Sequence, residues 1–159
     1  VTGPNGTGKS SLLRVLAGLL RPYGGSVERK GSCALLDENL ALDPECSLRE
    51  ALTFWHRLDC AEQPHAVYEQ MSLTSLLDVP VRYLSTGQRK RAGLARLILS
   101  EADIWLLDEP LNGLDTEAQA LVTPLVDEHR SAGGICIAAS HQPLAMNNAQ
   151  TLALEEFAL

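Results

Sequence analysis

The sequence predicts an α/β fold: a core with a mostly parallel sheet and a small helical subdomain. Short apolar runs of strand length, Ser32 to Asp37, Ile104 to Leu107 and Ile135 to Ser140, alternate with segments of helical periodicity. That alternation builds parallel sheets, because parallel strands need a crossover connection and a helix is the usual one. The second observation is Gly3-Pro4-Asn5-Gly6-Thr7-Gly8-Lys9-Ser10, a G-x-x-x-x-G-K-[ST] pattern placed just ahead of an apolar helix. The third is Asp108-Glu109, two carboxylates at the end of an apolar strand.

Taken in order, Val1-Thr2 reads as the tail of a strand, so an N-terminal part is expected to be missing. A helix is expected from Lys9 to Leu20, with Leu12, Leu13, Leu16, Leu19 and Leu20 at helical spacing and Pro22 and Gly24-Gly25 as its stop. Ser47 to Leu84 reads as mostly helical, with breaks near Pro64 and Pro80, and the helical subdomain is set at about 47–100, inserted in the α/β core. Helices are expected over Thr86 to Ser100 and Thr116 to Ser131, the second with Pro124 inside it. Thr151 to Leu154 is a candidate last strand.

Composition narrows the function classes. A net charge of −7 argues against a nucleic-acid partner. Cys33, Cys46, Cys60 and Cys136 form no CxxC pair and have no histidine at metal-ligand spacing, so they read as reduced thiols. No apolar run approaches the ~18–20 residues that cross a bilayer, and no signal-peptide pattern is present.

The glycine-rich loop has a chemical rationale. Its glycines let the backbone curl so that several N–H groups face one phosphate, and the helix behind it directs its positive end at the same anion. Lys9 would reach the β- and γ-phosphates of ATP, and the Ser10 hydroxyl would bind Mg²⁺. Pro4, Asn5, Thr7 and Ser11 belong to the same loop and the first helical turn. At the acidic strand end, Asp108 is placed to hold Mg²⁺ through water, and Glu109 to polarise the attacking water.

Leu84-Ser85-Thr86-Gly87-Gln88 resembles the ABC ATPase signature, usually LSGGQ, with Thr86 where the first glycine stands. With the phosphate loop and the acidic strand in the same order, the chain resembles P-loop NTPases of the ABC ATPase type over essentially its whole length. The resemblance implies that Ser85 and Gly87 contact the γ-phosphate bound by an opposing subunit, with Thr86 and Gln88 completing that motif. Asp115, in Asn112-Gly113-Leu114-Asp115, is implied to align the paired subunits. His141 is implied to contact the γ-phosphate and the attacking water. On the residues alone, Ser85 reads equally as a helix N-cap. His56, His65 and His129 have no such context and read as solvated or packing residues, and Arg89-Lys90-Arg91 as a solvated helix face.

One departure stands out. The family carries a glutamine after the strand that follows the first helix, and here Asp37-Glu38-Asn39 occupies that place. Glu38 is the candidate replacement, as a further Mg²⁺ ligand, with Asp37 next. The adenine-stacking aromatic of the family lies upstream of the phosphate loop.

The stretches AGLLRPYGG, EALTFWHRL, YLSTGQRKRAGLARL, WLLDEPLNGLD and SHQPL resemble the ATP-binding subunits of the haem exporter of cytochrome c biogenesis. This implies a homodimer on the cytoplasmic face of a bacterial inner membrane, bound to an integral membrane permease subunit. No C-x-x-C-H is present, so haem is not expected to be bound directly. The alternatives are the ATP subunit of another small ABC exporter, or a soluble ABC ATPase acting on nucleic acid or ribosomes. The acidic charge and the short insert, without coiled coil or zinc ligands, count against the last.

Overall fold

In the computed structural model, residues 1–59, 64–142, 144, 146 and 148–157 are described. Cys60 and Pro143, the proline of the SHQPL stretch, lie outside them. The chain divides into two compact units. The first comprises Val1–Glu38, Ala102–Asn112 and the described residues from Leu121 onward; the second comprises Asn39–Glu101 and Gly113–Ala120.

The first unit is built on a parallel sheet in the order β1 (Cys33–Leu36), β2 (Ile104–Asp108), β3 (Ile135–Ala139). Its register sets Cys33 against Ile104 and Ile104 against Ile135, and it ends with Asp108 opposite Ala139. The Val1 nitrogen donates to Ala138 O at 2.6 Å, and Thr2 bridges Ala153 in parallel. Residues 1–2 therefore run beside β3, and the loop after them leaves the sheet at the strands' carboxyl ends. The expected strand over 151–154 reduces to this single bridge, because a 3-10 turn, Leu154–Phe157, follows at once.

Helix α1 (Lys9–Leu16) packs Leu13 onto Leu106 of β2 and Ala139 of β3, all three essentially buried, with Leu16, Leu35, Ile104 and Ile137 around them. Burial of one such leucine contributes roughly 1.5–3 kcal/mol. The helix stops four residues before the expected Leu20. Gly18 takes φ 79°, its N–H donates to Val15 O, and Leu19 N donates to Arg14 O. This is the Schellman closure that a glycine in left-handed conformation permits. Leu19 and Leu20, which the periodicity places on the buried face, are 71% and 48% exposed as a result. On the other face of β2, Trp105 stacks on His129 of α5 (Thr116–Ser131), with ring centroids 4.0 Å apart and planes 4° from parallel. A Cβ on Gly134 would lie 2.2 Å from that imidazole, so any larger residue there forces the ring or the turn to shift.

The second unit gathers α2 (Leu48–Asp59), α3 (Pro64–Gln70) and α4 (Thr86–Leu99), with 3-10 turns at Thr74–Leu76 and Val81–Tyr83. Leu48, Leu52, Met71, Leu73 and Leu97 form its buried interior. Ser47 and Glu50 cap α2 reciprocally: Ser47 N donates to Glu50 Oε2 at 2.9 Å and Glu50 N to Ser47 Oγ at 3.3 Å. Arg96 lies over the Trp55 ring, 4.9 Å from its centroid, and Trp55 Nε1 donates to Ala41 O.

Candidate active site

The glycine-rich loop connects Thr2 to α1. Gly8 precedes the helix at φ 94° and offers no side-chain cap. The N–H groups of the first turn are therefore left for an anion rather than for a capping oxygen. Gly3, at φ 147°, lies against Thr7, and an added Cβ would come 2.8 Å from Thr7 Oγ1. Thr7 Oγ1 in turn donates to Pro4 O at 2.9 Å, which tightens the loop.

Lys9 is buried, 7% exposed, with its chain folded back over this loop. Its Nζ donates to Gly3 O at 2.7 Å and Pro4 O at 2.9 Å. It also stands 3.2 Å from Nε2 of His141. An ammonium group has only donors, so His141 Nε2 is the acceptor in that contact.

Glu109 is the first residue past β2. It adopts φ 46°, a left-handed conformation that costs a non-glycine residue of order 1–3 kcal/mol. The bonds that hold it there are on both sides of the backbone: Glu109 N donates to Ala139 O at 2.8 Å, and Asn112 N to Glu109 O at 3.2 Å. Its carboxylate accepts from His141 N at 3.2 and 3.3 Å, while Oε1 lies 3.6 Å from His141 Nε2. Ser140 Oγ is 3.5 Å from Oε2.

Asn5, Gly6, Gly8, Lys9, Ser10, Ser11, Asp108, Glu109, Asn112 and His141 line one cleft of about 400 Å³ within the first unit. The structure thus brings together the phosphate loop, both strand-end carboxylates and the histidine. Asn112 is an additional wall residue; the sequence shows it only as part of a turn. Ser10 and Asp108 offer oxygen donors to the same cleft. So few protein oxygens suit Mg²⁺, which is held mainly by water and substrate phosphates.

Glu38 does not line this cleft. Its side chain is 90% exposed and faces Arg14 at 3.8 Å. Asp37, almost fully buried, takes the closer ion pair with Arg14, at 3.2 Å.

Ser85, Thr86, Gly87, Gln88 and Asp115 belong to the second unit. Ser85 is the N-cap of α4 in a complete capping box: Gln88 N donates to Ser85 Oγ at 3.2 Å, and Ser85 N to Gln88 Oε1 at 2.8 Å. Asp115 caps α5 through Ala118 N at 2.8 Å and pairs with Arg91 Nη2 at 3.3 Å. Two of the three basic residues after Gln88 are therefore not a solvated face. Lys90 is 8% exposed, and Arg91 is turned toward Asp115 with its Nε enclosed. Helical spacing explains this: Lys90 and Arg91 share the face that carries Leu94, Ala95 and Leu97 inward. His56 and His65 line a separate cleft of about 350 Å³ with Arg49, Thr53, Tyr68, Thr74 and Leu77.

Residues 1–112 match the ABC transporter family. The chain is 55% identical over 157 residues to the cytochrome c biogenesis ATP-binding export protein CcmA of Novosphingobium aromaticivorans, covering 99% of this chain and 81% of that one. It is 52% identical to the protein of the same name from Sphingopyxis alaskensis, over 97% of this chain and 80% of the relative. Among solved structures it resembles the archaeal ribosome recycling factor aABCE1, in complex with the ribosomal stalk protein aP1, with a TM-score of 0.72 and 27% identity over 86% of this chain. It spans only 27% of that chain. It also resembles a metal-chelate type ABC transporter in an inward-facing conformation, with a TM-score of 0.68, 28% identity, and coverage of 90% of this chain and 62% of that one. Among the described residues, no helix is long and apolar enough to cross a membrane.

Proposed function

This chain belongs to the ABC transporter family, and within it to the cytochrome c biogenesis ATP-binding export proteins; on that premise we propose that it binds Mg-ATP, pairs with a second copy of itself and hydrolyses the ATP to energise haem export. The observation that carries the chemistry is the convergence of Lys9, Glu109 and His141, with Lys9 Nζ 3.2 Å from His141 Nε2 and the Glu109 carboxylate bonded to His141 N.

In this reading, the first-turn amides of α1 and the loop amides bind the β- and γ-phosphates. Lys9 turns from the Gly3 and Pro4 carbonyls toward them, exchanging neutral acceptors for charged ones. Ser10 and Asp108 would hold Mg²⁺, which would supply positive charge to offset that developing on the transferred phosphoryl group. Glu109 takes the proton of the attacking water, and its bonds to His141 N and Ser140 Oγ set the direction of the carboxylate. His141, at the end of β3, orients the terminal phosphate and the water. Glu38 and Asp37 occupy the glutamine's place in the family pattern; Glu38, which faces Arg14 here, would have to turn into the cleft to join Ser10 and Asp108 as a Mg²⁺ ligand.

Ser85, Thr86, Gly87 and Gln88 supply the second half of the site to the nucleotide of the opposing subunit. The capping box takes the Gln88 N–H, so what the start of α4 offers an anion is the Ser85 hydroxyl together with the Thr86 and Gly87 amides. Asp115 aligns the two copies. The partners are a second copy of the chain and an integral membrane permease, at the cytoplasmic face of a bacterial inner membrane, with the chain held peripherally. Residues 1–159 form the ATPase domain, with the helical subdomain at about 47–100. Haem is cargo of the assembly and is not bound by this chain, and nucleic acid is not a partner. Identity of 51–55% to the cytochrome c biogenesis proteins favours this reading over a ribosome-directed one.

The test is complementation. In a bacterium deleted for its own subunit, the complete wild-type subunit restores covalent haem staining of c-type cytochromes and Glu109→Gln does not. Restoration by Glu109→Gln, or staining that never depended on the subunit, would overturn it.

A further inference from the structure

The turn at Gly113–Asp115 and the first turns of α4 interlock within the second unit. A Cβ added to Gly87 would come 3.1 Å from Gly113 O, and one added to Gly113 would come 3.1 Å from Thr86 Cγ2. Glycine at both places lets the two backbones approach, and the Thr86 methyl fills the space that a larger residue at 113 would need. Four residues along α4 from Gly87, on the same side, Arg91 Nη2 reaches Asp115 Oδ2 at 3.3 Å. The Arg91 side chain is 23% exposed against 56% for Asp115, so the guanidinium end of the pair is shielded while the carboxylate end meets solvent. Asp115 cannot swing freely, because its Oδ1 also accepts from Ala118 N at 2.8 Å. Gln119 Nε2 donates to Leu114 O at 3.1 Å and closes the turn from the other end.

Resting on the function proposed above, we infer that Arg91 is a positioning residue for the anion-binding start of α4. It clamps Asp115, the clamped turn braces Thr86 and Gly87, and Thr86 and Gly113 are a size-matched pair. Thr86, which departs from the usual glycine of the signature, is compensated by the absence of a side chain at 113. Arg91 touches no nucleotide in this scheme; it acts through the turn. The consequence is that loss of Arg91 affects what α4 offers to an opposing subunit and leaves nucleotide binding at the phosphate loop alone.

The experiment uses the complete subunit carrying Glu109→Gln, with Mg-ATP-driven dimerisation read by light scattering and ATP affinity of the monomer read by calorimetry. Adding Arg91→Gln raises the ATP concentration for half-maximal dimerisation at least tenfold and changes monomer affinity less than twofold. Arg91→Lys, which keeps the charge but loses the planar fork, falls between. Arg91→Gln with Asp115→Asn is no worse than the poorer single variant. Gly113→Ala impairs dimerisation, and Thr86→Gly added to it recovers at least threefold; the remainder reflects the φ of 79° at Gly113.

Dimerisation of Arg91→Gln at the parent's ATP concentration overturns the inference. So does a Gly113→Ala defect that Thr86→Gly does not relieve. If Arg91→Gln loses monomer ATP binding as well, it has perturbed the fold, and Arg91→Lys then decides: unchanged dimerisation overturns the clamp, a shift with intact ATP binding upholds it. A Glu109→Gln parent that stays monomeric in saturating ATP overturns the composite-site reading together with the inference, which distinguishes the two failures.

Discussion

Lys9 Nζ and His141 Nε2 lie 3.2 Å apart although 132 positions separate them in the chain. The contact joins the first turn of α1 to the end of β3, and with Glu109 hydrogen-bonded to His141 N it assembles one polar cluster from three chain segments. None of the three residues is adjacent to another in sequence. The parallel sheet brings them to one edge because Thr2, β2 and β3 all end there.

Lys9→Ala removes the buried ammonium from this cluster. A charge-assisted hydrogen bond contributes about 1.5–3 kcal/mol, so ATP affinity falls roughly 10- to 100-fold and hydrolysis falls to background. Calorimetry and phosphate release on the complete subunit measure both. Normal turnover in this variant would remove the phosphate-loop assignment.

Glu109→Gln keeps shape and hydrogen bonding and removes the charge that draws the proton. Loss of a general base lowers the rate by roughly 10²- to 10⁴-fold, with ATP still bound and the dimer trapped closed. Ser85→Arg added to it prevents dimerisation by placing bulk and charge at the start of α4. Turnover at the parent rate in Glu109→Gln would transfer the base role to another residue, His141 first.

Gly134→Ala drives a methyl into the imidazole of His129, which an added Cβ would meet at 2.2 Å. The ring must leave the Trp105 stack or the turn must shift, and overpacking of this kind costs about 1–3 kcal/mol. Thermal melting should show the loss, and tryptophan fluorescence should change with it. His129→Ala in the same chain recovers part of the stability, because the obstructing ring is gone. A melting temperature equal to the parent's contradicts the packing argument.

Burial pushes the Cys136 thiol up to about 11. The folded state then holds its proton more tightly than the unfolded chain, whose thiol titrates near the ordinary value. The stability that this contributes is fully present below the unfolded pKa and is lost as pH rises through the folded one. At pH 8 the thiolate fraction is about 100-fold below that of an unperturbed thiol, by the difference in pKa. Alkylation by iodoacetamide at pH 8, followed by mass spectrometry, should leave Cys136 unmodified in folded protein and label it in denatured protein. Rapid labelling in the folded state contradicts the burial argument.

Much of this was legible from local pattern. The phosphate loop, the carboxylates closing β2 and the strand before His141 are short and contiguous, and their chemistry follows from residue type and spacing. The end of α1 was not legible that way: Leu19 and Leu20 keep the helical period, yet Gly18 closes the helix before them. The basic run after Gln88 also misleads, since charge alone suggests solvent while the helix turns Lys90 and Arg91 inward.

By itself, the sequence determined the fold class, the order of the motifs and the residue types within them, because each rests on covalent neighbours and hydrophobic period. Only the tertiary structure decided that Lys9, Glu109, Asn112 and His141 share one cleft. It also decided that Arg14 takes Asp37 as its close partner while Glu38 stays exposed, and that Arg91 holds Asp115. Those relationships depend on which strands lie side by side and which helix faces turn inward. Their physical cause is burial summed over distant parts of the chain, which no short window of sequence contains.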